Sequence, residues 1–298
     1  MRDSTRTSNS TDKKAEFRVL LDSCVMFPMY LRDTLLCTVE AGLYIPYWSQ
    51  GILDGATRNL VSTGKMTAER AMNLEATIKA AFPEAMVEVP VGLAEVMTNH
   101  PGDRHVLAAA IVAKAEVIVT SNLKHFKEKD LAPWNVQAQS PDAFLSDLYN
   151  LYPDLMVQVV RRQSQALRKP PRTVVELLEL LSKEVPKFAS KILFHEYSLG
   201  VVQTTKKALS KIGRPAPEGG RCYEGQRYKL WQQGETLTIT AKDERGEILR
   251  VQDGQIEGKI VPEDINAFQI FDQRLEQELA AAKKAQHPEK DNSPLDAD

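Results

Sequence analysis

Apolar and polar positions follow two different periods along the first half of the chain. Short apolar runs, which are typical of buried strands, alternate with stretches that carry apolar side chains at helical spacing. The predicted strands cover residues 17–22, 43–47, 85–89, 116–120 and 134–138. The predicted helices cover residues 29–41, 49–60, 67–81, 103–114 and 141–150. This alternation predicts an α/β fold with a mostly parallel sheet covered by helices on both faces.

The pattern changes from Pro153 onward, where strands disappear and then return in a different form. Residues 155–167 and 173–185 predict two amphipathic helices, and the Gly- and Pro-rich residues 213–226 predict a linker. The short runs 228–231, 236–241, 248–251 and 259–261 then predict a small antiparallel β module, and residues 263–284 predict a C-terminal helix. The predicted organisation is a disordered leader at 1–15, the α/β domain at 16–150, a helical extension at 151–212, the linker at 213–226, a small β plus helix domain at 227–285 and a disordered tail at 286–298.

Composition narrows the class of protein without giving its chemistry. The 298 residues are 43% apolar and 26% charged, as in ordinary globular proteins. Three cysteines without metal-like spacing indicate a reducing interior, and no apolar run approaches the roughly 20 residues that span a bilayer. We therefore expect a cytoplasmic protein without a membrane partner.

Residues 151–210 carry ten Lys and Arg against five Asp and Glu, which fits either a solvated helix face or nucleic-acid contact.

Four polar residues lie where predicted strands end or predicted helices begin: Asp22, Asp54, Asp103 and Asn122. The carboxyl edge of an open α/β sheet is where ligands bind. Carboxylates gathered there repel one another unless a cation neutralises them, and hard oxygen ligands favour Mg²⁺ or Mn²⁺. Each residue also has a structural interpretation, since Asp103 suits a helix N-cap, Asp54 a surface acid and Asn122 a turn.

The order of these residues within their local motifs resembles the PIN-domain ribonuclease family, in particular the bacterial branch that includes VapC-type toxins. The resemblance covers about residues 17–193, and residues 213–298 lie outside it. The stretches that carry it are Val19-Leu20-Leu21-Asp22-Ser23-Cys24-Val25, the run from Trp48 to Asp54, Asp103-Arg104-His105-Val106 with the alanines after it, and the run from Ala115 to Phe126.

The resemblance implies a three-layer α/β/α sandwich and a Mg²⁺- or Mn²⁺-dependent endoribonuclease that cleaves single-stranded RNA. Asp22 and Asp103 would be metal ligands, Asp54 stands where the family usually has Glu, and Asn122 where it often has Asp. The partners it implies are RNA, an antitoxin protein and a second copy of the chain in a homodimer. Further candidates for RNA contact are Ser23, Thr120, Arg104, His105 and Lys124.

Two departures from the family pattern favour an alternative. Asp54 is one methylene shorter than Glu, and Asn122 lacks a negative charge. Both would weaken metal binding, so the alternative is a catalytically weakened PIN fold that binds RNA or protein. A nucleotide-binding Rossmann protein is disfavoured because no Gly-x-Gly-x-x-Gly follows the first strand. The β module suits nucleic-acid binding or protein contact, and the sequence leaves both open.

Overall fold

The computed structural model describes residues 17–286, with side chains described as far as residue 281. The predicted leader at 1–15 and all of the predicted tail except Gln286 lie outside the described residues. The chain divides into two compact units after Ala189. Within residues 17–286, no helix combines the length and the apolar character that a bilayer crossing requires.

A five-stranded parallel sheet with the order β3-β2-β1-β4-β5 forms the centre of the first unit. Its strands are β1 (Arg18–Leu21), β2 (Ile45–Ser49), β3 (Met86–Val87), β4 (Val117–Val119) and β5 (Gln137–Gln139). The apolar run at Val19, Leu20 and Leu21 is fully buried because β1 has a strand on either side and helices cover the sheet. The predicted α/β class is confirmed.

Ten helices lie between residues 23 and 212, and the last of them begins in the first unit and ends in the second. They are α1 (Ser23–Met26), α2 (Met29–Glu40), α3 (Gln50–Ser62), α4 (Ala68–Ala81), α5 (Arg104–Ala113), α6 (Glu128–Leu131), α7 (Pro141–Leu151), α8 (Pro153–Ala166), α9 (Val174–Leu181) and α10 (Pro186–Ile212). Short 3-10 helices at Pro101–Asp103 and Leu123–His125 flank α5 and β4. Thr67 and Ser140 cap α4 and α7, since each side chain accepts from a backbone N–H of the helix it precedes.

The first two helices of the predicted extension, α8 and α9, pack within the first unit. Gln163 of α8 is 1% exposed; it accepts from Thr34 Oγ1 at 2.8 Å and donates to the Tyr30 carbonyl at 3.0 Å. Both partners belong to α2, so a buried amide joins the two helices. The leucines at the centre of α9 are buried as well. The apolar stripe predicted for this region therefore packs within the chain.

The second unit contains a six-stranded antiparallel sheet with the order β11-β10-β9-β8-β7-β6. Its strands and last helix are β6 (Arg214–Pro215), β7 (Arg221–Glu224), β8 (Tyr228–Gln233), β9 (Thr236–Ala241), β10 (Glu247–Gln252), β11 (Gln255–Gly258) and α11 (Pro262–Gln286). Residues 213–226, predicted as a linker, instead supply β6 and β7, and the last strand precedes the predicted run 259–261. Tight turns let these short polar segments pair with β8 and β10, which composition alone does not reveal.

Candidate active site at the sheet edge

Asp22 lies at the carboxyl end of the central strand and is only 1% exposed. Its Oδ2 accepts a hydrogen bond from Thr120 Oγ1 at 2.7 Å, and Thr120 follows the neighbouring strand β4. Its Oδ1 accepts from the backbone N of Ser23 at 2.6 Å and lies 3.2 Å from Ser23 Oγ. The parallel register of β1 and β4 thus brings two residues that are far apart in sequence into direct contact. Asp22 occupies the position at the sheet edge that the sequence predicts.

Cys24 completes the polar contacts of this carboxylate. Its Sγ lies 3.2 Å from Asp22 Oδ2 and 3.4 Å from Thr120 Oγ1, and it accepts from Ser121 N at 3.2 Å. Burial, together with the adjacent Asp22 charge, raises the pKa of the Cys24 thiol to about 11. The thiol is therefore neutral at physiological pH and can donate. A carboxylate offers about four lone-pair directions, so a cation that binds Asp22 must replace one of these donors.

Asp103 precedes α5, but its side chain does not cap that helix. Its Oδ2 instead lies 2.6 Å from Nδ1 of His125. The ring of His125 stacks on that of His100, with centroids 3.8 Å apart and planes 9° apart. The structural interpretation of Asp103 as an N-cap is therefore wrong for its side chain, which belongs to a histidine cluster.

Asn122 is the residue at which the chain turns from β4 toward that cluster. Its backbone N donates to Thr120 Oγ1 at 3.0 Å, and its carbonyl accepts from His125 N at 2.8 Å. The Thr120 hydroxyl therefore contacts both Asp22 and the turn that carries Lys124 and His125. Asn122 thus links the two parts of the candidate site.

Asp54 is directed toward α4. Its Oδ1 accepts from Gln50 Nε2 at 2.7 Å, and the same amide nitrogen lies 2.9 Å from Glu75 Oε1. Lys79 donates to Gln50 and Glu75 at 2.5 and 2.6 Å. Partial burial raises the pKa of Glu75, but the hydrogen bonds from Lys79 and Gln50 outweigh it and leave that pKa lowered. Asp54 therefore takes part in a polar network between α3 and α4.

Two positions of α3 that approach Ser23 and His105 are glycines. A Cβ on Gly55 would lie 3.1 Å from Ser23 Cβ, and a Cβ on Gly51 would lie 3.5 Å from Cδ2 of His105. Asp54 precedes Gly55 by one residue, and one residue turns a helix by about 100°. The helix face directed at Ser23 and His105 thus carries no carboxylate at these positions.

A basic cavity of about 280 Å³ adjoins the histidine cluster. Its lining includes four cationic side chains and both stacked histidines: Arg104, Lys124, Lys127, Lys129, His100 and His125. Thr98 and Asp130 also line it and are hydrogen-bonded to each other at 2.7 Å. The excess of positive charge makes this cavity suitable for an anionic group such as a phosphate.

The structure brings some of the predicted residues together and separates others. Asp22, Ser23, Thr120 and Asn122 form one connected group, whereas Asp54 faces α4. In the described part of the chain, one group of three metal-binding side chains has ligand atoms within 4.8 Å of one another, namely His100, Asp103 and His125. His100 was missed by the sequence reasoning. The only sequence signal was its place two residues before Gly102 and three before Asp103, in a loop without hydrophobic periodicity.

Comparison with known proteins gives one family match and one similar curated protein. Residues 141–193 match the family described as the VapC50 C-terminal domain, which here comprises α7, α8, α9 and the beginning of α10. A protein of Mycobacterium tuberculosis named "Putative ribonuclease VapC50" is 47% identical over 95 residues, which are 32% of this chain and 56% of that protein. The chain thus spans little more than half of that relative's length. No solved structure gives a significant match. The two matches, together with the α/β fold, confirm that this chain resembles the VapC-type branch of the PIN-domain ribonucleases.

Proposed function

We propose that this protein is a Mg²⁺- or Mn²⁺-dependent endoribonuclease that cleaves single-stranded RNA and acts as the toxin of a toxin–antitoxin pair. The observation that carries the proposal is the buried Asp22 carboxylate, held at the carboxyl edge of a parallel sheet by Thr120 and Ser23. The ribonuclease name of the relative supports the same chemistry.

The residues at this edge have suitable donor chemistry for a hard divalent cation. Asp22 and Asp103 would hold the ion, because carboxylate oxygens are the ligands that Mg²⁺ and Mn²⁺ prefer. When bound, such an ion neutralises phosphodiester charge and activates a water molecule. The chain's own contribution at Asp22 is orientation, since Ser23, Cys24 and Thr120 fix the plane of its carboxylate. Asn122 would add a neutral oxygen, and Asp54 would have to leave Gln50 in order to take part.

RNA would meet the basic cavity beside the histidine cluster. Arg104 and Lys124 line it and would contact backbone phosphates, which supply the sequence-independent part of nucleic-acid affinity. His105, beside Gly51, would approach RNA from the α3 side. Ser23 and Thr120, which the sequence suggests as RNA contacts, both bond to Asp22, so we propose that they position the carboxylate.

The biological setting follows from the same proposal. A toxin of this type acts on cytoplasmic RNA and is silenced by a cognate antitoxin, which would be its protein partner. We also propose a homodimer. Residues 213–298, which lie outside the resemblance, would supply a contact to RNA or to protein.

The test is cleavage of a fluorescently labelled single-stranded RNA in Mn²⁺, Mg²⁺ or EDTA. Asp22→Asn should reduce cleavage by about 100-fold or more, because it removes the central anionic ligand. The matched control is Glu69→Gln, an exposed acid on α4 that should cleave like the wild type. Circular dichroism would show whether both variants fold. Failure of the folded wild type to cleave with any divalent cation, or full activity of Asp22→Asn, would refute the proposal.

A second candidate function is binding of RNA without cleavage. It is favoured by the glycines at positions 51 and 55, by the direction of Asp54 toward α4, and by the neutral Asn122. RNA binding that persists in EDTA and in Asp22→Asn, with no cleavage by the wild type, would establish this function instead.

A further inference from the structure

We propose that His100, Asp103 and His125 form a second binding site, adjoining the proposed nuclease site, for a borderline transition-metal ion such as Zn²⁺ or Co²⁺. One ligand atom from each of the three side chains lies within 4.8 Å of the other two. The inference goes beyond the proposed nuclease, because it concerns another class of ion and can be tested without RNA. Asp103 would be common to both sites.

The backbone holds the two histidines in place before any ion binds. His100 N donates to the carbonyl of His125 at 3.4 Å, and Asp103 N donates to the carbonyl of His100 at 2.9 Å. Each histidine also flanks or ends a short 3-10 helix. The backbone cost of binding is therefore small, but the two rings must rotate on ligation, because the lone pairs of parallel stacked imidazoles do not converge on one ion.

A simple Asp–His pair accounts for only part of this arrangement. The 2.6 Å contact joins Asp103 to His125, but it does not explain why a second imidazole stacks on the first. His100 Nδ1 accepts from Gly102 N at 3.2 Å, and ligation by His100 would replace this long hydrogen bond. A cation bound by all three side chains would give His100, Asp103 and His125 a common role as ligands.

The ligand set selects the kind of ion. Two imidazole nitrogens and one carboxylate suit zinc and the neighbouring first-row metals, whereas Mg²⁺ prefers an all-oxygen environment. Three protein ligands leave at least one coordination position for water or an anion. The site should therefore bind Zn²⁺ and Co²⁺ in the presence of excess Mg²⁺.

The neighbouring cationic side chains oppose binding but do not prevent it. Lys124, Lys127 and Lys129 are exposed, so water and salt screen their charges over a Debye length of about 8 Å. Their long stems also let the ammonium groups turn toward solvent. Asp103, by contrast, contacts the cluster directly and is largely shielded, with its side chain 16% exposed.

The experiment uses the full chain without a polyhistidine tag, freed of metal with EDTA and then dialysed. Co²⁺ is titrated with its visible absorption as the signal, and Zn²⁺ is titrated by calorimetry, both in excess Mg²⁺. We expect one equivalent to bind, and His100→Gln and His125→Gln each to weaken the affinity at least about tenfold. His105→Gln is the matched control, because this nearby histidine lies outside the cluster and should leave the affinity unchanged.

The outcomes separate this inference from the nuclease proposal. One equivalent of Co²⁺ that is lost in both folded variants supports the site, whether or not the protein cleaves RNA. Absence of binding by the wild type, or binding that survives both substitutions, overturns the site and leaves Mg²⁺-dependent cleavage unaffected. Circular dichroism on each variant distinguishes a lost ligand from a lost fold.

Discussion

The hydroxyl of Thr120 is the contact on which the candidate site depends most. It donates to Asp22 at 2.7 Å and accepts from Asn122 N at 3.0 Å, and the residue is fully buried. A Thr→Val change keeps the shape but leaves both partners without this bond. Because unsatisfied buried groups cost about 1–3 kcal/mol each, the hydroxyl stabilises the fold as well as the site.

We therefore predict that Thr120→Val lowers the free energy of unfolding by about 2 kcal/mol, measured by urea denaturation. Thr205→Val is the control, since Thr205 is equally buried and its hydroxyl donates to the Val201 carbonyl of its own helix, α10. That variant should lose less than about 1 kcal/mol, because backbone carbonyls in a helix already have a partner. Equal losses in the two variants would contradict the special role of Thr120.

The raised pKa of Cys24 predicts a thiol that is unreactive in the folded protein. A change from 9.0 to about 11 lowers the thiolate fraction about 100-fold at pH 8. Alkylation by iodoacetamide, followed by peptide mass spectrometry, should therefore be at least that much slower for Cys24 in native buffer than in urea. Comparable rates in the two conditions would show that the site opens readily.

The raised pKa of Cys24 also determines the direction in which stability changes with pH. Because the folded-state pKa is raised, the contribution of Cys24 is fully present below pH 9. It is lost as the pH rises toward 11, where the unfolded chain gains a favourable thiolate. Replacing Cys24 with Ser should flatten this part of the curve, as measured by thermal unfolding between pH 8 and pH 11. A curve of unchanged slope would contradict this assignment.

At the scale of elements, the strongly periodic segments are predicted better than the short ones. The helix predicted over 67–81 is found at Ala68–Ala81, and Thr67 caps it. The strand predicted at 43–47 lies instead at Ile45–Ser49, because the register with β1, and not local composition, fixes where pairing begins. Buried Trp48 packs edge-on against Phe82, so its ring belongs to the core of the first unit.

The residues of the candidate site could also be predicted only in part from the sequence. Asp22 could be predicted because a polar residue directly follows a buried strand. The direction of Asp54 could not, since it depends on which face of α3, the one that carries Gln50, meets Glu75 of α4. The contact between Asp103 and His125 joins residues from two irregular segments, and no periodicity reports on such a pair.

The two glycines of α3 give a prediction for that helix. Glycine is disfavoured in helices by up to about 1 kcal/mol relative to alanine, so Gly51→Ala, with an ordinary 3.5 Å contact, should stabilise the protein by about 0.5–1 kcal/mol. Gly55→Ala should gain nothing or destabilise, because its Cβ would lie 3.1 Å from Ser23 Cβ. Chemical denaturation of the pair measures the difference. Equal stabilisation by both changes would show that the space beside Ser23 is not restricted.

At the scale of the whole molecule, each compact unit has a core of its own. The first is built on the parallel sheet, and the second on the antiparallel sheet with α11, where Phe268 packs against Tyr228 with ring centroids 5.0 Å apart. The buried Asp264 joins the parts of the second unit, since it accepts from Tyr228 Oη, from Arg245 and from Val261 N. Its side chain is 0% exposed, so each of these bonds is shielded from water.

This separation predicts that damage to one core leaves the other protected. Asp264→Ala removes a buried acceptor, and we expect it to destabilise the second unit by about 2–3 kcal/mol. The expected loss of stability is not larger, because Arg245 is 36% exposed and water can solvate its charge when Asp264 is removed. Hydrogen exchange should accelerate in β7 to β10 and in α11, while β1, β2 and β4 keep their protection. Asp243→Ala, which removes the exposed partner of the same arginine, should change exchange little. If Asp264→Ala instead raised exchange equally in both sheets, the two units would unfold as one cooperative structure, and the second unit could not be treated as a separate contact module.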